Sequence, residues 1–285
     1  MRLRAEHTTT YLYSGPVSIC HTEVHLMPRS DRNQRVLNHQ LAISPTPEQT
    51  FPRRDYFGND TTYFSLHEPH RTLTITGRSL MEIDQAEPLE PSLTPAWEEA
   101  RGEEWRDSEP RAMREYQFVF ASPRIALGPE FAEYAAPSFP AERPLLDATL
   151  ELCHRIHGDF EYDQRATTVS TPVADLLQKR RGVCQDFAHF MLACLRSQGL
   201  AARYVSGYLR NGGALIGAEA SHAWVSVFCP GIGWLDLDPT NDCLVNGDHL
   251  TLAWGRDYSD VPPVKGVAIG GADHVINVSV RVTPA

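Results

Sequence analysis

The sequence contains no run approaching the 18 or so uninterrupted apolar residues that a membrane helix needs. Its first residues, MRLRAEHTTTYLYSG, lack the apolar stretch of a secretory signal. The six cysteines, at positions 20, 153, 184, 194, 229 and 243, form no CxxC pair and no repeating spacing. That pattern argues against a disulfide framework and a structural zinc site, and it predicts free thiols in a reducing compartment. Nor is there a clustered Lys and Arg patch of the kind phosphate backbones require. These absences lead to the expectation of a soluble, cytoplasmic protein with no nucleic-acid or membrane partner. There is no internal repeat and no low-complexity tract.

The charge that is present is concentrated. Formal net charge is -10, and between Glu82 and Glu109 ten acidic residues stand against two arginines. The rest of the chain is nearly balanced, and an acidic run of this kind is ordinarily a solvated face or linker. With 285 residues, 42% of them hydrophobic, the chain can bury a substantial core and is expected to form two domains.

Residues 1–84 alternate apolar and polar positions in short runs separated by turn signals such as SGP, PRSD and FGND, which predicts an antiparallel β domain. Residues 85–125 read as an acidic, proline-rich linker. From 126 to 285 the pattern is α+β. A helix is expected over 143–157, closed by Gly158, and a short one follows with Ser170 or Thr171 as N-cap, Pro at its first position and Gly182 beyond its end. Next comes a helix starting near Cys184, then strands at about 202–209, 222–229 and 233–238. HVINVSVRVTP near the end again alternates at period two.

On the helix beginning at Cys184, Phe187, Phe190, Met191, Cys194 and Leu195 recur at the offsets of one buried face, and Cys184 lies on it. An isolated buried cysteine is usually structural. At a helix N-terminus, however, unpaired N–H groups and the macrodipole favour a thiolate. A nucleophilic thiolate needs a base, and the base an orienting group. The segment HAWVSVFCPGIGWLDLD supplies both as a hairpin, because the Pro-Gly-Ile-Gly turn brings the end of the second strand back toward the start of the first. His222 and Asp238 occupy those ends. Asp236 shares a face with Asp238; Asp238 is preferred as the strand-end residue.

GVCQDFAHFMLACLRSQGLAARYVSGY, SHAWVSVF and GWLDLDPTN resemble the three signature blocks of the transglutaminase-like superfamily. The N-terminal region, with LRAEHTTTYLYSGPVSICHTEVHLMPR and DYFGND, resembles the β domain found on its bacterial members, and GRDYSDVPPVKGV also looks like that family. The resemblance implies a papain-like core, α+β, in which a Cys-bearing helix packs on an antiparallel sheet. It implies Cys184 as nucleophile, His222 as base and then acid, and Asp238 as the group that orients His222. The substrate would be a peptide or protein amide, resolved through a thioester by water or by an amine. No cofactor or metal is expected, since no DxDxDG-like calcium loop is present.

Six further residues are candidates for substrate binding. Tyr162 and Gln185 could supply the second oxyanion donor. Asp186 could line the cleft with His189, or the two could form a solvated i,i+3 pair. Trp224 shares the His222 face and could shield the ion pair, or simply fill the core. Arg256 and Tyr258 could form a binding rim or a polar turn. A non-catalytic binding or assembly role on the same fold is the competing reading.

Overall fold

The computed structural model describes residues 1–84, 89–105, 112–163, 166 and 171–285. Period-two alternation in the first region forms β1 (Arg2–Val24), β2 (Gln34–Ser44), β3 (Thr50–Arg54), β4 (Asp60–Leu66) and β5 (His70–Ile83). They pair antiparallel in the order β2-β5-β1-β4-β3. The first half of β1 lies against β5 and its second half against β4. Val17, Val24, Phe64, Leu73 and Ile75 bury one face of this sheet.

The opposite edge of β1 is filled from far along the chain. Its second half pairs with β13 (Val264–Gly270) and its first half with β14 (His274–Pro284). Residues 264–284 therefore join the first sheet, whereas the sequence pattern alone grouped them with 126–285. Local alternation marks a segment as a strand but says nothing about which distant edge it completes.

The expected linker, 85–125, is packed over much of its described part. It holds two 3-10 turns (Pro91–Leu93 and Trp97–Ala100), α1 (Gly102–Trp105), α2 (Ala112–Tyr116) and a third turn, Gln117–Val119. Ala100, Trp105 and Phe118 are buried, and Arg101 bridges to Leu200. A few apolar side chains thus anchor an otherwise acidic segment.

Next come α3 (Pro129–Ala135), α4 (Leu145–Asp159), β6 (Glu161–Tyr162), α5 (Val173–Lys179), β7 (Arg181–Gly182) and α6 (Cys184–Ser197). Helix α4 runs through Gly158 and is closed at Phe160 by an N–H bond to Ile156, so Gly158 is not its cap. Ser170 lies outside the described residues. Pro172, not Thr171, occupies the N-cap position of α5, one residue earlier than expected for the proline. The second sheet comprises β8 (Ala202–Leu209), β9 (His222–Cys229), β10 (Gly233–Asp238), β11 (Cys243–Leu244) and β12 (His249–Gly255), antiparallel in the order β11-β10-β9-β8-β12. The fold class is the expected one: α+β, with the Cys-bearing helix on an antiparallel sheet.

Helix α6 is more enclosed than its amphipathic pattern suggests. Residues 185–196 are all buried, because α3, α4 and α5 pack against it along with β8 and β9. The one charged side chain near its end, Arg196, is satisfied by carbonyls of Ala202, Phe120 and Arg256 and by the Ser122 hydroxyl. This ties two loops to the helix end at little cost of unpaired charge. The two sheets also touch, Tyr208 Oη lying 2.9 Å from His7 Nδ1. Among the described residues no helix is long and apolar enough to cross a membrane.

Candidate active site

Cys184 is the first residue of α6. The Asp186 carboxylate accepts the Val183 N–H at 2.9 Å, which fixes where the helix starts. Cys184 is half-buried on that first turn, while Cys20, Cys153, Cys194 and Cys229 are buried. Burial pushes the thiols of Cys20, Cys153 and Cys194 up, that of Cys229 to about 11 and that of Cys243 to about 12. These five are neutral thiols near neutral pH.

His222 and Asp238 end their strands as the hairpin requires, with one refinement. The register runs from Gly233↔Cys229 to Leu237↔Val225, so Asp238 comes level with Trp224 and reaches His222 diagonally. His222 Nε2 lies 2.8 Å from Asp238 Oδ2, and both side chains are wholly buried. Asp236 pairs with Ser226 further along the sheet and stands near Arg203; burial raises its pKa against that guanidinium. The structure therefore brings Asp238, not Asp236, to His222.

With Nε2 committed to Asp238, the free ring nitrogen is Nδ1, which makes no closed hydrogen bond. Cys184 is its polar neighbour. Burial works against an imidazolium here, but the Asp238 carboxylate and the neighbouring Cys184 side chain outweigh it and push the His222 pKa up to about 10. Asp238 shows the reciprocal effect. Burial would raise it, yet the His222 imidazolium and the hydrogen bonds from His222 and His249 hold it well below the carboxylate range.

Asp238 is the hub of the site. Its Oδ1 accepts the N–H groups of Thr240 (2.9 Å) and Asn241 (3.3 Å). Its Oδ2 takes His222, Asn241 Nδ2 at 2.7 Å and His249 Nε2 at 3.1 Å. Sequence reasoning missed Asn241 and His249. Asn241 lies only three residues past Asp238 in the PTND turn, and His249 opens the alternating segment HLTLAWG; those were the available signals. Asp238, Cys243 and His249 hold donor atoms within 4.8 Å of one another. Both Asp238 oxygens are already filled by N–H donors, and His249 uses its own proton there, so the group fits a hydrogen-bond network better than a cation cage.

The remaining candidates separate. Tyr162 Oη lies 3.6 Å from the point where a Cβ on Gly217 would sit, and that point is 2.8 Å from His222 Nδ1. Tyr162 and Gly217 thus border the reactive edge of the imidazole, and φ of +100° at 217 suits only glycine. Gln185 is buried beside Cys184 as the second residue of α6. Asp186 caps its own helix, and His189 is buried, accepting the Tyr258 N–H at 3.2 Å, so the two do not form a solvated pair. Trp224 is fully buried against both His222 and His249, ring centroids 6.4 and 5.3 Å away. Arg256 is held by Asp260 through two bonds of 2.9 Å, which makes it part of a turn. Tyr258 packs edge-on against Tyr204, a buried phenol near Cys184 that the sequence did not flag.

Comparison with known proteins adds ancestry to this geometry. Residues 3–82 match the bacterial transglutaminase-like N-terminal region, and residues 133–239 match the transglutaminase-like superfamily. An uncharacterized protein from Mycobacterium tuberculosis is 42% identical over 297 residues, spanning 99% of this chain and 93% of its own length. A protein-glutamine gamma-glutamyltransferase from Pseudomonas aeruginosa is 32% identical over 121 residues, 37% of this chain and 18% of that protein. A solved structure described as a candidate cysteine protease, from Cytophaga hutchinsonii, superposes with a TM-score of 0.79 over 100% of this chain and 90% of that one. At 19% identity this is a likeness of fold.

Proposed function

Because the chain belongs to the transglutaminase-like superfamily, we propose that it is a cysteine-dependent amide hydrolase whose reacting groups are Cys184, His222 and Asp238. The observation that carries this reading is the division of labour on one imidazole: Nε2 is held by a buried carboxylate, and Nδ1 is left to the half-buried thiol at a helix start.

In the proposed reaction the Cys184 thiolate attacks the carbonyl carbon of a peptide or protein amide. The C–S bond forms, the carbonyl electrons move to oxygen, and the Cys184 backbone N–H at the helix start stabilises that oxyanion. Tyr162 and Gln185 are the candidates for the second donor. As the tetrahedral species collapses the C–N bond breaks, and His222 gives its Nδ1 proton to the departing amine. Water, deprotonated by the now neutral His222, then cleaves the thioester to a free acid. Asp238 keeps the ring in the tautomer and orientation this requires. Six unpaired cysteines fit a reducing compartment such as the cytoplasm.

A second reading, transfer of the acyl group to an amine, draws support from the name of the Pseudomonas relative, which matches part of this chain. The same thioester serves both outcomes. Screening a peptide library for cleavage with and without an added primary amine, against Cys184→Ala as control, tests both. Cleavage that needs Cys184 supports hydrolysis, and amine incorporation supports transfer. No Cys184-dependent product in either condition would favour a binding or assembly role.

A further inference from the structure

We infer that His249 is a positioning residue of this site: it donates to the same Asp238 oxygen as His222 and so limits how tightly that carboxylate holds the His222 proton. The inference rests on the acyl-transfer reading above.

Asp238 Oδ2 receives three N–H groups, from Asn241 at 2.7 Å, His222 at 2.8 Å and His249 at 3.1 Å. A carboxylate oxygen has two in-plane lone pairs, so three donors share its charge. His249 is fixed in this position. Its side chain is wholly buried, and the Trp224 indole stands edge-on to it at 83°. On the far side of the ring, Nδ1 lies 3.4 Å from both the N–H and the Oδ1 of Asn246, while the acceptor-only Asp238 carboxylate at 3.1 Å places a proton on Nε2. His249 is thus built in as a donor aimed at Asp238.

Such a donor has chemical value. A carboxylate serving His222 alone would stabilise the imidazolium most strongly, and a general acid that holds its proton too tightly delivers it poorly. The second imidazole draws part of that charge away while Asn241 and the Thr240 N–H keep the carboxylate in place. Other titratable groups near the pair do not compete. Cys153 from α4 and Cys243 from β11 border Asp238 as neutral thiols, and Asp242 is engaged by His154 at 2.7 Å. On the Nδ1 side of the His222 ring stand Cys184 and, beyond Gly217, the Tyr162 phenol.

Alkylation by iodoacetate, resolved at Cys184 by mass spectrometry, tests this without knowledge of the substrate. The reagent is anionic, so its rate at the thiolate falls when the adjacent imidazolium loses its proton. In His249→Phe this fall should move to higher pH, corresponding to an acid dissociation constant lower by about threefold or more. His249→Gln, whose amide N–H can reach the same oxygen, should restore the wild-type position. His249→Asn is too short to reach and should behave like the Phe variant, which covers the case that the larger ring fails to fold. A folded Phe or Asn variant whose fall is unmoved, or moved down, would overturn the inference. If wild-type Cys184 itself reacts no faster than Cys194, it is the acyl-transfer reading that fails; a reactive Cys184 with no response to His249 removes this inference alone.

Discussion

Asn241 ties the Asp238 carboxylate to the chain that covers it. Its Nδ2 donates to Asp238 Oδ2 at 2.7 Å, while its Oδ1 accepts the Ile216 N–H, also at 2.7 Å. Ile216 precedes Gly217, the residue that borders His222 Nδ1. One amide therefore sets both the carboxylate behind the imidazole and the backbone in front of it. Asn241→Ala should leave the fold intact, lower Cys184 alkylation by roughly tenfold, in line with loss of a hydrogen bond to a charged group, and speed amide exchange across residues 211–219. Unchanged exchange in that segment would mean the loop is held by other contacts.

Cys184 should react with iodoacetamide much faster than the other five cysteines at neutral pH, and the rate should drop in His222→Ala. Cys194 is the internal control, since it sits on the same helix but is fully buried. Peptide mapping after a short exposure measures all six at once. Slow, uniform labelling would refute the thiolate assignment.

The two carboxylates of β10 should differ sharply. Asp238→Asn removes the acceptor that sets the His222 tautomer, and activity should fall on the order of a hundredfold to ten-thousandfold with the fold retained. Asp236→Asn should change activity far less, because its carboxylate faces Ser226 and Arg203. Turnover of any peptide found by library screening provides the measurement.

Stability should depend on pH through the buried pair, with a sign that follows from the shifts. His222 is raised from 6.5 to about 10, so its contribution is complete below 6.5 and is lost as pH climbs through about 10. Asp238 is depressed, so its contribution is present above 3.8 and is lost as pH falls through its lower folded value. Urea midpoints should therefore decline from pH 6.5 toward 10, and His222→Asn should flatten that decline. An identical slope in the variant would assign it to other groups.

Gly207 leaves space for the indole that packs against both imidazoles. A Cβ there would lie 2.1 Å from Trp224 Cη2 and 2.3 Å from the Leu250 carbonyl oxygen. Gly207→Ala should thus destabilise the protein by about 3 kcal/mol or more, seen as a lower thermal midpoint. It should also slow Cys184 alkylation, since Trp224 would have to shift against His222 and His249.

The parts of this site legible in the sequence were those set by short-range rules. Helical periodicity placed Cys184 on a first turn, and a hairpin with a clear turn signal brought His222 to Asp238, because few residues separate the two strands. His249 was not legible. It stands on β12, which the sheet order separates from the β10 strand of Asp238 by both β8 and β9, an order that local alternation does not encode. The same limit applies to β14, whose strand character was visible but whose partner was not. The acidic stretch was misjudged for a different reason: net charge dominated its composition, while Trp105 and Phe118, which anchor it, are few.

The seating of β14 beside β1 changes what a severed chain would do. Leu3 lies opposite Pro284 and Tyr13 opposite His274, so the first sheet is a clasp closed by both ends of the described chain. A protease that nicked the acidic stretch would leave two pieces sharing one sheet, held by eleven facing residue pairs between β1 and β14 and seven between β1 and β13. They should travel together under native conditions and part only in denaturant. Expressing residues 126–285 alone would instead strip β14 of its neighbour and expose a valine-rich edge prone to self-association.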